Sequence, residues 1–340
     1  MTQQHPRLGL IVVASETGLG YQTRDYYRWL KPDKTILIDI SSINGSRQHY
    51  EWYDKPELII KGIPTDEQCK EILQDIDVLL TAETVYNLNL YKIANEMGVK
   101  TICVENPEFY DHIRFTKYDM PSMIILPSVW LEEDIRAHAE SRGTKVVQLH
   151  HPVDRADFPF TLRHGGKSIH IAGNPASLDR NGTWDYMRAC PDGRVTTQNS
   201  DLAWRIRRQY SRSRVYTDIG EPSYIYTLGD VLVLPRKYGG NCLPLNEALS
   251  SGMPVIMPDI SPNNHLLPKE WLVPATLIDS FEPRTKVDIY TVDVDALAER
   301  IQWMKDNIRS ESKLANQIAN TISWETMLPL WQEAIRSIVE

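Results

Sequence analysis

The chain has 340 residues, 42% of them hydrophobic, and a formal net charge of −8. This composition allows a large buried core, most simply divided between two domains. The acidic balance argues against a protein that binds polyanions over its whole surface. Its four cysteines are widely spaced, without a metal-binding or disulfide pattern, as expected in a reducing cytoplasm. No apolar run reaches the length of a membrane span, and no signal peptide is expected before the first strand.

The first half of the chain alternates apolar runs with helical patterns, as in a parallel α/β domain. Strands are predicted at residues 8–14, 35–40, 75–80, 100–104, 123–127 and 145–149, and helices at 21–29, 88–97 and 130–142. The turn after the first strand contains Gly18, Leu19 and Gly20. A glycine-containing turn between strand and helix can bind phosphate, but this one lacks the third glycine of a dinucleotide fingerprint. A plain tight turn is the alternative.

Polar side chains follow two neighbouring strands of this half. Glu83 comes after the third strand, and Glu105, Asn106 and His112 come after the fourth. Ligand contacts in open α/β sheets gather beyond the carboxyl ends of strands, so these are candidate ligand-binding residues. The His112 imidazole could also handle a proton or hold a hydroxyl. For each of these residues taken singly, a loop residue satisfied by solvent or backbone is the commoner explanation.

The second half begins with a strand at residues 168–172, followed by Asn174 and then by Arg180 at the start of a helix. Further on, residues 204–214 form the one strongly basic run, in which Trp204 and Tyr210 are interleaved with arginines. The arginines are Arg205, Arg207, Arg208, Arg212 and Arg214. Such a run can bind phosphate backbones, although a solvated helix face is the commoner explanation.

Residues 230–258 predict a parallel β-α-β unit. A strand at 230–235 leads through Gly239, Gly240, Asn241 and Cys242 into a helix that begins at Leu243, and a second strand covers 255–257. The loop brings free backbone N–H groups to the helix N-terminus, which suits a phosphate or the hydroxyls of a ligand. Glu247, one turn inside, could accept bonds from two adjacent ribose hydroxyls. A tight turn with a solvated glutamate is the alternative.

This stretch resembles the nucleotide-sugar site of GT-B glycosyltransferases, in particular the large retaining family of sucrose- and glycogen-synthase-like enzymes (glycosyltransferase family 4 type). The residues that match in order are Leu243-Pro244, Glu247-Ala248 and Gly252-Met253-Pro254-Val255-Ile256. The family has an acidic residue facing the donor sugar eight positions before the glutamate, and this chain has Gly239 there.

The resemblance implies an α/β fold in which two Rossmann-like domains face each other across a cleft. Residues 1–155 would form the acceptor domain, 156–322 the nucleotide-sugar domain, and 323–340 a helix crossing back to the first domain. Implied donor contacts are Gly18, Leu19, Gly20, Asn174, Arg180, Ile219, Gly239, Gly240, Asn241, Cys242, Leu243 and Glu247. Glu83, Glu105, Asn106 and His112 become acceptor-side candidates, and Arg180, Arg236 and His112 become catalytic candidates.

The expected function is transfer of a sugar, with retention, from a nucleotide-diphosphate sugar to a hydroxyl acceptor. A UDP-sugar such as UDP-glucose is the expected donor. No cofactor or metal is expected, because the acidic pair Asp293 and Asp295 precedes a helix and fits a capping role. Some viral members of this broad fold modify hydroxymethylated DNA bases, so the run containing Arg205, Arg207, Arg208 and Arg212 makes DNA a candidate acceptor.

Two other functional classes stay open at this point. A Rossmann oxidoreductase is disfavoured by the incomplete glycine fingerprint. A nucleic-acid-binding protein built on a degenerate transferase fold is favoured by Gly239 and by Asn181, which stands where the family has a lysine before the glycine. The sequence specifies neither the acceptor nor the oligomeric state.

Overall fold

The computed structural model describes residues 5–83, 85–172 and 179–339, and the chain divides into two compact units. The first unit comprises residues 1–151 and 327–340, and the second comprises residues 152–326.

The first unit is built on one parallel sheet covered by helices. Its elements are β1 (Leu8–Val12), α1 (Gly18–Leu30), β2 (Lys34–Asp39), α2 (Ser41–Asn44), β3 (Leu58–Lys61), α3 (Asp66–Leu73), β4 (Val78–Ala82), α4 (Leu90–Met97), β5 (Lys100–Val104), α5 (Arg114–Lys117), β6 (Met123–Leu126), α6 (Glu132–Ser141) and β7 (Lys145–Gln148). The seven strands lie in the order β3-β2-β1-β4-β5-β6-β7. Every residue of β1 and β4 is buried, which explains their continuous apolar sequences.

The second unit repeats this architecture. Its elements are β8 (Ser168–Ile171), α7 (Thr183–Ala189), β9 (Arg194–Thr196), α8 (Ser200–Gln209), β10 (Arg214–Tyr216), β11 (Val231–Val233), α9 (Leu243–Ser250), β12 (Val255–Pro258), α10 (Asn263–Leu266), β13 (Leu272–Val273), β14 (Ala275–Phe281), β15 (Val287–Val292), α11 (Val294–Asp306), α12 (Ile308–Thr321) and the start of α13 (Trp324–Arg336). Six parallel strands lie in the order β10-β9-β8-β11-β12-β13, while β14 and β15 form a separate antiparallel hairpin.

The remainder of α13 belongs to the first unit. Trp331 is fully buried there, with its ring centroid 5.0 Å from that of Tyr26. Beyond the helix, the Lys145 ammonium donates to the Ser337 hydroxyl over 2.9 Å. None of the described helices is long and apolar enough to span a membrane.

Each sheet has a point where the strand order reverses. In the first unit it lies between β1 and β4, and in the second between β8 and β11. At such a point the connections leave on opposite faces, so a crevice opens beyond the carboxyl ends of the two strands. The predicted pair of parallel α/β domains is confirmed. The predicted candidate residues follow β1, β4, β5, β8, β10 and β11, and β1, β4, β8 and β11 are the strands at these points.

The turn after β1 contains two glycines, and only at Gly20 is a larger residue sterically excluded. A Cβ atom on Gly20 would lie 1.9 Å from the Ser15 carbonyl oxygen, whereas a Cβ atom on Gly18 would meet nothing within 4 Å. The turn closes so tightly because the Gly20 N–H donates to the Thr17 hydroxyl, which caps α1, over 3.2 Å.

We therefore predict that Gly20→Ala lowers the free energy of unfolding by about 1–3 kcal/mol, the usual cost of overpacking. The matched variant Gly18→Ala should be neutral or slightly stabilising, because it adds a methyl group in open space. Urea unfolding of the two variants beside the wild type measures the difference. Equal midpoints for the two variants would contradict the tight approach.

Candidate functional site

Two loops of the second unit meet where β8 and β11 lie side by side. Gly182, just before α7, has a φ of +70°, and a Cβ atom on it would lie 2.2 Å from the Pro235 carbonyl oxygen. Only glycine fits both the left-handed conformation and this contact. Asp179 closes the same turn, since its carboxylate accepts from the Thr183 N–H over 2.8 Å. The chain after β8 is thereby held directly against the chain after β11.

Arg180, in the loop after β8, makes three contacts with the loop after β11. Its Nη2 donates to the Gly239 carbonyl over 2.6 Å, and its own carbonyl accepts from the Lys237 N–H over 2.8 Å. Its guanidinium carbon lies 4.5 Å from the centroid of the Tyr238 ring, a cation–π distance. The predicted cation therefore has a defined position beside the glycine loop.

Arg236 is a second cation at this loop, and it is only 6% exposed. Within the described residues its guanidinium makes no hydrogen bond or ion pair, and its Nε is buried without a partner. A buried cation is costly unless a counter-charge compensates it. Arg236 therefore has the properties of a side chain that binds an anionic ligand.

The glycine loop ends at an uncapped helix N-terminus. Gly240 has a φ of +112°, and Cys242, the residue before α9, makes no side-chain capping bond. The first N–H groups of a helix have no intrahelical acceptor, and the helix dipole adds partial positive charge there. Gly239 and Gly240 are buried, while Asn241, Cys242 and Leu243 are partly exposed.

Glu247 lies one turn inside α9, where Tyr226 holds it. The Tyr226 hydroxyl donates to Glu247 Oε2, and the Tyr226 ring packs edge-on against Phe158 at 5.6 Å. Burial, followed by the charge of Glu247, raises the pKa of Tyr226 well above its usual value, so Tyr226 remains a neutral donor. The sequence patterns did not identify Tyr226, because nothing local shows that its hydroxyl reaches α9.

The structure says little about two other predicted donor contacts, Ile219 and Asn174. Ile219 follows β10 and is a partly buried residue packed against the core of the second unit. Asn174 lies outside the described residues.

In the first unit, the structure brings Glu83 and Asn106 together from neighbouring strands. The Asn106 amide donates to Glu83 Oε2, and Glu83 adopts a φ of +56°. Glu105 instead faces the interior, since it is 1% exposed and its Oε2 lies 3.6 Å from the Cys103 sulfur. Burial and then the Glu105 charge raise the pKa of Cys103 to about 12, which makes this thiol unreactive.

His112 belongs to an aromatic cluster rather than to the Glu83–Asn106 pair. Its ring lies edge-on to Tyr110 at 4.9 Å and to His138 at 4.7 Å, and the Tyr110 hydroxyl lies 2.6 Å from His138 Nδ1. Burial, with smaller contributions from the His112 and Arg142 charges, lowers the pKa of His138. His112 itself remains partly exposed.

The turn at Gly18, Leu19 and Gly20 follows β1, the strand beside β4.

The predicted polyanion contacts lie elsewhere in the second unit. Arg205, Arg207 and Arg208 are on α8, Arg212 follows that helix, and all four are exposed. Across the described ranges, no group of three His, Cys, Asp or Glu side chains could hold a metal ion.

No protein-family profile and no curated protein match this chain. Solved structures do match over its whole length. A glycosyltransferase from Rickettsia africae ESF-5 superposes with a TM-score of 0.70 at 12% identity, covering 98% of both chains. Sucrose-phosphate synthase from Thermosynechococcus elongatus gives 0.67 at 14% identity, covering 97% of this chain and 98% of its own.

HepE from Anabaena, solved in complex with UDP and glucose, superposes with a TM-score of 0.69 at 10% identity, covering 98% of this chain and 100% of its own. These proteins share the two parallel-sheet domains described above. The chain has the GT-B fold. Because the identities are so low, the likeness establishes this fold alone, and roles for individual residues must come from the geometry of this chain.

Within the GT-B fold, the paired loops of the second unit depend on one buried histidine. His170 of β8 lies beside the Val233 carbonyl, which is 2.7 Å from Nδ1, and beside the Thr183 hydroxyl, 3.1 Å from Nε2. The first contact places the proton on Nδ1, so Nε2 accepts from Thr183. His170 thereby joins β8, β11 and α7, and burial lowers its pKa from 6.5 to about 4.

This lowered pKa predicts a pH-dependent stability. Between pH 6.5 and about 4 the unfolded chain binds a proton at His170 that the folded chain does not, so the stabilising effect is complete above pH 6.5 and is lost as pH falls through this window. Denaturant unfolding of His170→Gln should show a weaker dependence on pH over that window than the wild type. The exposed His164, changed to Gln, is the matched control. Parallel pH profiles for His170→Gln and wild type would contradict the prediction.

Proposed function

We propose that this chain is a glycosyltransferase that takes a sugar from a nucleotide-diphosphate sugar, with UDP-sugars as the preferred donors, and transfers it to a hydroxyl acceptor. The observation that carries the proposal is the composition of one loop. Arg180, the buried Arg236 and the uncapped N-terminus of α9 all lie at Gly239–Leu243, and Glu247 lies one turn further on.

The second unit is the donor-binding unit in this proposal. The diphosphate binds the amides of Gly240–Leu243 together with the Arg180 and Arg236 guanidinium groups, which suit phosphate oxygens geometrically. Glu247 accepts bonds from the ribose hydroxyls, and backbone groups near Ile219 contact the nucleobase. HepE, of the same fold, was solved with UDP and glucose, and starch synthase IV from Arabidopsis thaliana with ADP and acarbose, which supports this assignment.

The chemical step follows from where charge develops. Breaking the bond between the sugar and the diphosphate places negative charge on the leaving phosphate oxygens. Arg180, Arg236 and the helix amides stabilise that charge without a metal ion or a dedicated protein nucleophile. Retention of anomeric configuration is the stereochemical outcome that the family resemblance implies, and it completes the proposal.

The first unit is the acceptor-binding unit in this proposal. Glu83 and Asn106 form one polar pair, and the partly exposed His112 provides another polar group. Glu105 is too buried to contact a substrate. A hydroxymethylated DNA base is the leading acceptor, because the exposed arginines of the second unit match a polyanionic polymer. A nucleic-acid-binding protein without transferase activity is the second candidate, favoured by the same arginines.

We predict that Glu247→Ala weakens UDP binding by about 1–3 kcal/mol, because the ribose hydroxyls lose their hydrogen-bond partner. Titration calorimetry with UDP and GDP measures this change. The control is Glu299→Ala, which removes an exposed glutamate of α11 in the same unit. Unchanged affinity in Glu247→Ala would remove the ribose role. Absence of nucleotide binding by the wild type would favour the second candidate.

Sugar transfer should persist in excess EDTA, since the two arginines supply the charge that a divalent ion would otherwise provide. The assay follows labelled glucose from UDP-glucose onto DNA containing 5-hydroxymethylcytosine, with unmodified DNA as the control acceptor. Activity that disappears on chelation and returns with manganese or magnesium would contradict metal independence. Transfer to a small molecule but to neither DNA would contradict the acceptor assignment.

A further inference from the structure

Five exposed arginines give one edge of the second unit a basic surface. This arginine surface consists of Arg205, Arg207, Arg208, Arg212 and Arg214, contributed by α8, by the turn after it and by β10. The buried side of α8 is Leu202, Ala203 and Ile206. The arginines therefore remain at the surface because the apolar face of the helix already packs into the core. Strand β10 is the edge strand of its sheet.

The positive charge of this surface is not compensated by nearby carboxylates. Within the described residues none of the five arginines makes an ion pair, and the sequence has no acidic residue between Asp201 and Asp218. Other arginines do pair: Arg7 lies 3.2 Å from Asp77, and Arg136 lies 2.6 Å from Glu132. In a chain of net charge −8, this is a local concentration of positive charge that attracts anions.

Aromatic rings are built into the same surface. Trp204 is 58% exposed, and the Arg208 guanidinium carbon lies 5.2 Å from its ring centroid. Arg205 has the same distance to the ring of Trp184. An exposed indole beside a guanidinium group can receive an unpaired base, and such stacking tolerates any base because every base has a π-face.

The arginine surface does not belong to the diphosphate site. The strands of this sheet are parallel, so α8 runs from the carboxyl edge back to the amino edge before β10 begins. Arg207 and Arg208 lie near the end of α8, and Arg214 begins β10, which places them towards the amino edge. The loops that contain Arg180 and Arg236 follow the carboxyl ends of β8 and β11. An anion bound at this surface would therefore be separate from one bound at those loops.

We propose that the arginine surface docks the phosphate backbone of a nucleic acid, with an unpaired base stacked on Trp204. Guanidinium groups bind phosphate oxygens in a bidentate manner, and the five cations are all arginine, without a lysine. A membrane is the less suitable partner, because a helix that inserts into lipid needs an exposed apolar face and the apolar face of α8 is buried. The DNA acceptor in the proposed function rests on the same arginines, whereas the nucleotide-sugar donor rests on Arg180, Arg236 and Glu247, so loss of DNA binding would leave the donor assignment standing.

The test is binding of a labelled single-stranded DNA of about 20 nucleotides, and of the matching duplex, measured by fluorescence anisotropy from about 50 to about 200 mM salt. For the single strand, Arg208→Ala with Arg212→Ala should flatten the slope of log affinity against log salt by about 1.4, which is two phosphate contacts at about 0.7 each. Trp204→Ala should weaken single-strand binding about 5- to 150-fold, the range for one stacked base, and duplex binding less.

The matched control is Arg309→Ala with Lys313→Ala, which removes two exposed positive charges from α12 of the same unit. It should leave the salt slope unchanged, and all variants should bind UDP like the wild type. The proposal is overturned if the wild type binds neither DNA at low salt, or if the control loses as much slope as the arginine variant. Binding to phosphatidylglycerol vesicles but not to DNA would assign the surface to a membrane and also overturn it. Loss of UDP binding in Arg208→Ala with Arg212→Ala would place these residues in the donor site instead.

Discussion

The candidate donor site depends on the close approach of two loops at Gly182. With 2.2 Å between the Pro235 carbonyl oxygen and the place of a Cβ atom, any other residue would push the loops apart. Arg180, two residues before, would then lose its hydrogen bond to Gly239 and its position over Tyr238. Beneath the loops, the neutral His170 joins the same elements from inside the sheet. One backbone contact and one buried imidazole thus fix where the first cation lies.

The periodicity of the sequence was sufficient to predict the parallel strands, but it was not sufficient to predict the antiparallel hairpin. Strands such as β1 and β12 are short, fully buried apolar runs, so their positions are evident. The hairpin of β14 and β15 was not predicted, because β14 is almost wholly exposed and lacks an apolar pattern. Yet this hairpin contacts the site: the Tyr290 N–H donates to the Lys237 carbonyl over 2.7 Å, and Phe281 lies edge-on to Tyr238 at 5.2 Å.

The same limit applies to the site residues. Arg180, Arg236 and Glu247 could be proposed from their place in the chain, because loops after parallel strands carry ligand contacts. Burial could not be predicted: Arg236 could equally have been a surface residue, and Glu105 is interior although it is charged and follows the end of its strand. Tyr226 and Tyr238 were missed for a related reason. Tyr226 acts through Glu247, which is distant in sequence, and Tyr238 acts through the orientation of its ring towards Arg180. Neither contact produces a pattern in the local sequence.

Gly239 changes the electrostatics of the loop and not only its shape. An acidic side chain at this position, as in the family that the loop resembles, would place a carboxylate next to Arg180. Here the Arg180 guanidinium bonds instead to the Gly239 carbonyl, a neutral acceptor that fixes its orientation without adding negative charge. In the proposed function, a diphosphate approaching α9 would meet two cations, with no carboxylate contributed by position 239. Gly239 also has no side chain that could bond to sugar hydroxyls, so in that proposal other groups would have to recognise the transferred sugar.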